Sequence, residues 1–385
     1  MSEFDDIRPY KDDEVEQVVK KLYKEDELIE GMAKFKFPKL FKKTPQIAKG
    51  IVRAFVKRKV KPIKTINDIQ HIVGEEFRKI LNKTSHKVTI SGLDKLNKAD
   101  SYLFIGNHRD ISMDPALVSY LLYKANHNTV EIAIGDNLLK KQYISDLMRL
   151  NKSFIVKRSV TGREKLFALK KLSSYIHHTI RSGHSIWIAQ KEGRAKDGID
   201  FTEPAIIKML QLGASNNGDK VKLSDAVNAL NIVPVSISYE LDPCDAMKAE
   251  ELYMNRNNKT YTKDENTDQK SIVTGLLNPK GNIHIAFGDK IVTKHIEAAD
   301  IALEIDKQII SNYKLQAPNY LAYEILQKQD QNIGPSLVEL QPEIDISTED
   351  YASLQSRLES IESKYRDILI EIYANPVLSK LKLNN

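Results

Sequence analysis

Three features that would point to particular classes of protein are scarce or missing in this chain. Its 385 residues include one cysteine, Cys244, which excludes a framework of intramolecular disulfides and predicts a reducing compartment. No uncharged apolar run approaches the roughly 18–20 residues that a membrane-spanning helix needs. The acidic opening, residues 1–16, has no apolar core, so we predict no signal peptide. These absences predict a cytoplasmic protein.

Motifs for bound cofactors are also missing. The sequence has neither a dinucleotide fingerprint nor a glycine-rich loop for nucleotide phosphates. Its nine histidines show no metal-ligand spacing. No serine or cysteine stands in a nucleophile elbow. We therefore predict no metal, no bound cofactor and no covalent intermediate on the protein.

The positive charge of the chain is confined to one segment. Residues 1–30 carry 11 acidic and 5 basic side chains, whereas residues 31–64 carry 12 basic side chains and no acidic ones. The two balances, −6 and +12, account for the net charge of +6, so the rest of the chain is neutral overall. We expect no nucleic-acid partner, because no recognition motif accompanies the basic segment.

The basic segment shows helical periodicity between Pro45 and Pro62. Apolar residues follow one broad side and cations the other: Ile47, Ile51, Val52, Phe55, Val56 and Val60 against Lys49, Arg53 and Lys57. This pattern predicts a basic amphipathic helix at about residues 46–61. Such a helix can lie on an anionic membrane surface. It can equally pack on its own domain and turn a charged face to solvent.

From about residue 86 the sequence alternates between apolar strand-like runs and helical stretches. This alternation predicts an α/β fold with a central, mostly parallel or mixed sheet flanked by helices. We divide the chain into an N-terminal helical segment (1–65), a main domain (66–330) and a C-terminal helical tail (331–385). Residues 242–270 are polar and predict a mobile insertion.

Polar residues cluster where one apolar strand gives way to a helix. A histidine acts as a general base near neutral pH when a carboxylate holds its other ring nitrogen. Asp110 and Asp114 both follow His108 closely enough to do so. Without a protein nucleophile, such a base would activate a substrate hydroxyl directly. The strand-to-helix segment reads Asn107, His108, Arg109, Asp110, then Asp114 and Pro115.

Two further strands end in basic residues. Glycine lets a backbone approach a ligand closely, and arginine binds phosphate through two hydrogen bonds. Because the strand ends of an α/β sheet can meet at one crevice, we expect His108, Arg158 and Arg194 to converge. The residues at these two ends are Lys157 and Arg158, and Lys191, Glu192, Gly193 and Arg194.

Four sequence blocks together resemble the glycerolipid acyltransferases, which include the lysophosphatidic acid and glycerol-3-phosphate acyltransferases. The resemblance covers roughly residues 85–300. The first block has five residues between His and Asp where the family has four, and the third lacks the family's hydroxyl residue. The blocks are NHRDISMDPALV (107–118), FIVKR (154–158), QKEGRAKDG (190–198) and IVPVSISY (232–239).

This resemblance implies transfer of a fatty acyl group from acyl-CoA or acyl-carrier protein to a glycerophosphate hydroxyl. It implies His108 as the base, with Asp114, or alternatively Asp110, as its partner. Pro234 would help to form the acyl-donor region. The predicted substrate-binding residues are Arg109, Arg158, Lys191, Glu192, Gly193 and Arg194.

Our leading hypothesis is an enzyme that acylates 1-acyl-glycerol-3-phosphate to phosphatidic acid, peripherally bound at the inner face of the membrane. The alternatives are another acceptor, such as glycerol-3-phosphate, or a non-catalytic lipid-binding protein with this fold. The expected partners are a lipid substrate and an anionic membrane surface. The basic helix would otherwise dock an acidic acyl-carrier protein.

Overall fold

The structure of the chain, a computed structural model, describes residues 3–214, 221–257, 266–342 and 344–384. Its succession of strands and helices confirms the predicted α/β class. The chain divides into two compact units. Unit 1 comprises Met1–Phe77 and Glu131–Ala168, and unit 2 comprises Arg78–Val130 and Leu169–Asn385. The domain boundaries expected near residues 65 and 330 stay a prediction.

Proline is the first residue of three helices, at Pro38, Pro45 and Pro204, where its missing N–H costs nothing. Within the described residues the strands are β1 (Ser85–Ser91), β2 (Leu103–Gly106), β3 (Glu131–Gly135), β4 (Ser153–Val156), β5 (Ile186–Ala189), β6 (Ile232–Tyr239) and β7 (Gly281–Phe287). The α-helices there are α1 (Asp12–Leu22), α2 (Asp26–Lys36), α3 (Pro38–Lys43), α4 (Pro45–Val60), α5 (Ile66–Thr84), α6 (Met113–Lys124), α7 (Gln142–Leu150), α8 (Gly162–Arg181), α9 (Pro204–Leu212), α10 (Leu223–Asn228), α11 (Asp245–Arg256), α12 (Thr267–Leu277), α13 (Ala298–Asn312), α14 (Ala317–Gln329), α15 (Leu337–Leu340), α16 (Thr348–Glu359) and α17 (Arg366–Asn384).

Unit 1 is mainly helical, with β3 and β4 as a parallel pair. One apolar cluster joins α1 and α7 through residues such as Val15, Val19 and Leu150. A second joins α2 and α4 through Ile29, Ala33, Ala48 and Val52. Burial of these apolar stripes is what holds the short helices of this unit in place.

The predicted basic amphipathic helix is α4, but its faces differ from the prediction. Val52 points inward, whereas Ile47, Ile51 and Phe55 are 57%, 44% and 42% exposed. Lys49, expected to face solvent, is buried because its ammonium pairs with Asp26 of α2. The periodicity was right about the helix and wrong about Lys49, since an acidic partner on a neighbouring helix cannot be read from α4 alone.

Unit 2 contains a mixed sheet in the strand order β1-β7-β6-β2-β5. β2 runs parallel to both β5 and β6, β1 runs parallel to β7, and β6 and β7 are antiparallel. β2 and β6 are buried along their whole lengths, as expected of strands covered on both faces. Because β2 and β5 are parallel, the loops that follow them emerge at the same edge of the sheet.

Residues 242–270, predicted as a mobile insertion, contain two helices instead. α11 and the start of α12 lie in this stretch, and residues 258–265 fall outside the described part of the chain. The polar side chains of these two helices have buried partners elsewhere in the fold, which composition alone does not reveal. The tail helices α16 and α17 pack on α14, and α17 also contacts α11 and α13.

Candidate active site

The loop after β2, residues 107–112, is anchored by Asn107. Its side-chain amide donates to the carbonyl oxygen of Ile237 (3.0 Å) and to the carboxylate of Asp200 (3.1 Å). Its own side-chain oxygen accepts from the Ile237 N–H at 2.7 Å. Asn107 is fully buried, and these bonds tie the loop to β6. The residue that follows is therefore held at a defined place.

His108 and Asp114 form the predicted pair. The Nδ1 atom of His108 lies 2.9 Å from Oδ2 of Asp114. A carboxylate only accepts hydrogen bonds, so Nδ1 carries the proton and Nε2 is the basic nitrogen. The His108 side chain is 14% exposed and its ring meets that of Trp187 edge to face, with centroids 5.7 Å apart. The imidazole is thus oriented from both sides.

Asp114 is the centre of this arrangement. Its Oδ2 accepts from the backbone N–H of Arg109 (2.6 Å) and of Asp110 (2.8 Å). Its Oδ1 accepts from the hydroxyl of Tyr239, 2.7 Å away. The carboxylate is fully buried and satisfied, so the loop closes around it.

Asp110, the other candidate partner of His108, has a different set of contacts. Its Oδ1 accepts from the backbone N–H groups of Ser112 (3.0 Å) and Met113 (2.9 Å), at the start of α6. Burial, and secondarily the charge of Asp114, raise the pKa of Asp110. Its geometry is that of a helix cap.

Arg109, a predicted substrate-binding residue, points into the protein. Its guanidinium donates to Asp200 at 2.5 Å and to the carbonyl oxygen of Gly198 at 3.1 Å, and it stacks on the ring of Tyr313. Burial acts to lower the pKa of Arg109, but the charges of Asp200, Tyr313 and Asp242 together outweigh it and the pKa is raised. At 4% exposure Arg109 is placed to brace the loop rather than to meet a ligand.

The loop after β5 holds the predicted residues 191–194. Lys191 is half-buried with its ammonium over the ring of Phe201, at 3.9 Å from the centroid. Glu192 and Gly193 are exposed, and Gly193 has a φ of +77°, a conformation that favours glycine. Arg194 donates to the hydroxyl of Ser271 at 2.6 Å.

The two loops touch each other. The backbone N–H of Ala195 donates to the carbonyl oxygen of His108 at 2.7 Å, so the loop that carries Arg194 lies against the loop that carries His108. Arg158 belongs to unit 1, where it is exposed, its side chain lies against Gly135 and its N–H donates to Asp136. Pro234 lies buried within β6, beside Ile105 of β2.

Several residues of this arrangement were missed by sequence reasoning. They are Asp200, Tyr239 and Lys248, which bond to the first loop although they lie 91, 125 and 139 residues from their partners in the chain. Lys248 donates to the carbonyl oxygen of Arg109 at 2.7 Å. Nothing in the local sequence signals such long-range contacts.

The described residues include neither a cluster suited to a metal ion nor a helix able to span a membrane. No group of three or more histidine, cysteine, aspartate or glutamate side chains there is placed to hold a metal ion. Among the helices described, none combines the length and apolarity needed to cross a bilayer.

Residues 87–238 match the family model described as Acyltransferase. This stretch, which includes β2, β5, β6 and both loops, is therefore similar to acyltransferase-family domains. The sequence also resembles dihydroxyacetone phosphate acyltransferases: that of Bos taurus is 25% identical over 232 residues (58% of this chain, 31% of that one), and that of Homo sapiens is 24% identical over 278 residues (70% and 36%). The predicted resemblance to the glycerolipid acyltransferases is confirmed.

The chain spans about a third of the length of these relatives. Among solved structures, a crystal structure of the 1-acyl-sn-glycerophosphate (LPA) acyltransferase PlsC from Thermotoga maritima is similar, with a TM-score of 0.40 and 11% sequence identity. The match covers 74% of this chain and 92% of that one.

Proposed function

We propose that the protein is an O-acyltransferase that moves a fatty acyl group from a thioester to the free hydroxyl of 1-acyl-glycerol-3-phosphate, giving phosphatidic acid. The observation that carries this proposal is the buried His108–Asp114 pair, which leaves Nε2 as the basic nitrogen at the end of β2. The acyltransferase family match over residues 87–238 supports the reaction class.

In the proposed reaction, Nε2 of His108 takes the proton of the acceptor hydroxyl as its oxygen attacks the thioester carbonyl carbon. The C–S bond then breaks, and the leaving thiolate takes the proton back from the imidazolium. Asp114 keeps the ring in the required tautomer and stabilises its positive charge. General-base assistance of this kind contributes about 10²–10⁴ to the rate.

Lys191, Glu192, Gly193 and Arg194 are the proposed site of the acceptor phosphate. Two cations near an exposed glycine, on the loop that contacts His108, suit a phosphate ester. The roles that the family resemblance implies for Arg158 and Pro234 stay predictions. The donor would be acyl-CoA or acyl-carrier protein, and we propose no bound cofactor.

A second acceptor has its own support. The most similar relatives reported above are named dihydroxyacetone phosphate acyltransferases, and that molecule also combines a phosphate with a free hydroxyl. The same base and the same phosphate site would serve it. Glycerol-3-phosphate belongs to this group of acceptors as well.

Thiol release from acyl-CoA by the purified protein tests the proposal. Lysophosphatidic acid, dihydroxyacetone phosphate, glycerol-3-phosphate or no acceptor would be offered in parallel, with acyl-carrier protein as a second donor. We expect acceptor-dependent release that falls by about 10²–10⁴ in His108→Ala. His295→Ala, which changes an exposed histidine, is the control. Turnover retained in His108→Ala would refute the assignment of the base, and silence with every pair would favour the non-catalytic alternative.

We also propose that α2, α3 and α4 bind an anionic membrane surface. Phe35 is 68% exposed and Ile47 57%, among exposed lysines and arginines. Lys49 and Arg53 already pair with Asp26, so Lys57 and Arg58 are the better cations to test. Replacing both with Gln, together with Ile47→Ser, is expected to weaken sedimentation with phosphatidylglycerol vesicles. Unchanged sedimentation, or equal binding to neutral vesicles, would contradict this role.

A further inference from the structure

The C-terminal tail reaches the two loops of the candidate site, although it lies far from both in sequence. Its contacts form two chains of hydrogen bonds that both reach Arg109. One begins at Arg357 and Tyr373 and leads to the loop at residues 107–112. The other begins at Asn375 and leads to the loop at residues 191–200.

The first chain passes through the turn between β6 and α11. The N–H of Asp242 donates to the hydroxyl of Tyr373 at 3.0 Å, and its carbonyl oxygen accepts from Arg357 at 2.7 Å. Arg357 and Tyr373 also both bind the buried carboxylate of Asp245, the tyrosine hydroxyl at 2.8 Å. Arg357 and Tyr373 therefore fix the backbone of this turn at Asp242 and the side chain of Asp245, the first residue of α11.

This turn holds the loop at residues 107–112. The Asp242 carboxylate pairs with the ammonium of Lys248, which is buried at 1% exposure. That ammonium donates to the carbonyl oxygen of Arg109 at 2.7 Å. The N–H of the same residue, Arg109, donates to Asp114. The position of the His108–Asp114 pair is thus connected to the tail through a sequence of buried, charged hydrogen bonds.

The second chain is shorter. The side-chain amide of Asn375 donates to the carbonyl oxygen of Asp197 at 2.7 Å. Gly198 has a φ of +82°, and a Cβ at this position would overlap the carbonyl oxygen of Ile372. The Gly198 carbonyl oxygen accepts from Arg109 at 3.1 Å. Helix α17 therefore lies directly against the far end of the loop that begins with Lys191.

We infer that the tail is a positioning element of the candidate active site, with Tyr373 and Arg357 holding the loop of the proposed base and Asn375 holding the loop of the proposed phosphate site. This inference rests on the proposed function. It differs from simple packing of the tail on unit 2, because it assigns different effects on the reaction to Tyr373 with Arg357 and to Asn375.

Tyr373→Phe removes the hydrogen bonds of one of these contacts and Asn375→Leu those of the other, each with little change in side-chain volume. We expect Tyr373→Phe to lower kcat about tenfold with both KM values within about twofold, since it loosens the loop of the base. We expect Asn375→Leu to raise the acceptor KM about tenfold with a smaller change in kcat. The control is Glu371→Gln, which breaks the half-exposed ion pair between α17 and Arg256 without touching either loop.

A proton NMR signal supplies a readout that needs no substrate. The Nδ1 proton of His108, assigned with His108→Gln, is expected to exchange faster in Tyr373→Phe than in the wild type or Glu371→Gln. Thermal melting would confirm that each protein is folded. Folded variants with wild-type kcat, KM and proton exchange would overturn the inference. If the wild type transfers no acyl group, the proposed function fails, and the exchange rate alone decides whether the tail holds the loop.

Discussion

Two loops leave parallel strands at the same edge of the sheet and differ sharply in environment. In the loop after β2 and the first turn of α6, Asn107, Asp110 and Asp114 are each at most 1% exposed and hydrogen-bonded. In the loop after β5, Glu192 and Gly193 are exposed. Both segments look equally polar in the sequence. A group that must transfer a proton needs a fixed position, whereas cations that capture a ligand need access to solvent.

Most buried polar groups of the first loop are paired, although Nε of Arg109 has no hydrogen-bond partner. An unpaired buried donor or acceptor costs about 1–3 kcal/mol, and more if it is charged. The solvent-exposed part of the second loop carries no such obligation, because water can replace any missing partner. Changes in the first loop should therefore affect both stability and activity, and changes at the exposed side chains of the second loop should affect activity alone.

Asp114→Asn gives the largest expected effect. The amide presents N–H donors to the N–H groups of Arg109 and Asp110 and can no longer stabilise a charged imidazole, so kcat should fall by about 10²–10⁴. Steady-state kinetics on protein shown to be folded would measure this. Asp110→Asn is the matched comparison: burial, followed by the charge of Asp114, already raises the pKa of Asp110, so an uncharged cap should be tolerated. Equal losses in the two variants would argue against Asp114 as the partner of His108.

Asp200→Asn tests the buried ion pair behind the first loop. Removing the charge leaves the guanidinium of Arg109 buried without its counter-ion, which should lower the free energy of unfolding by about 3–5 kcal/mol. Urea denaturation measures the change. Asp289→Asn, which breaks an exposed pair with Lys95, should leave the midpoint unchanged. A small decrease in the free energy of unfolding of Asp200→Asn would mean that the loop tolerates loss of the ion pair with Arg109.

Asp306, which lies outside the loop after β5, should make the free energy of unfolding depend on pH. Its carboxylate accepts hydrogen bonds from the N–H and the hydroxyl of Thr202. Burial raises the pKa of Asp306 from 3.8 to about 6, although the Thr202 hydrogen bonds act in the opposite direction. Between these pH values the folded chain binds the extra proton, so the free energy of unfolding falls as pH rises through this window.

Asp306→Asn should therefore be more stable than the wild type at pH 7.5, by up to about 3 kcal/mol, and no more stable below the window. Urea denaturation across the range from pH 4 to about pH 7.5 would measure both proteins. A constant difference between them at all these pH values would contradict the assignment of this titration to Asp306.

Lys191→Met gives the smallest expected effect and probes the exposed loop itself. The acceptor KM should rise about tenfold, because one cation is lost from the proposed phosphate site. The free energy of unfolding should change by no more than about 0.5 kcal/mol. Lys290→Met, at an exposed lysine of unit 2, should alter neither quantity. A large loss of stability in Lys191→Met would break the contrast between the two loops.

Sequence reasoning located the pair His108 and Asp114 because both lie in one strand-to-helix segment, where spacing along the chain limits distance in space. It left Asp110 open as the partner, since a turn can bring either carboxylate back. It went wrong at Lys49 and within the described residues of 242–257 and 266–270. Polar side chains there were expected to be exposed to solvent. Instead, Asp26 neutralises the buried Lys49, and the carbonyl oxygen of Arg109 accepts a hydrogen bond from the buried Lys248.

Apolar periodicity and local spacing, which act over short stretches of chain, were enough to predict the α/β class, the helix at Pro45–Val60 and the two polar loops. Which polar groups are buried depends instead on long-range contacts in the folded chain. Arg109 meets Asp200 and Asp114 meets Tyr239 through contacts that span 91 and 125 residues. Such pairs form because desolvation makes each buried charge or hydroxyl require a partner, wherever in the chain the fold can supply one.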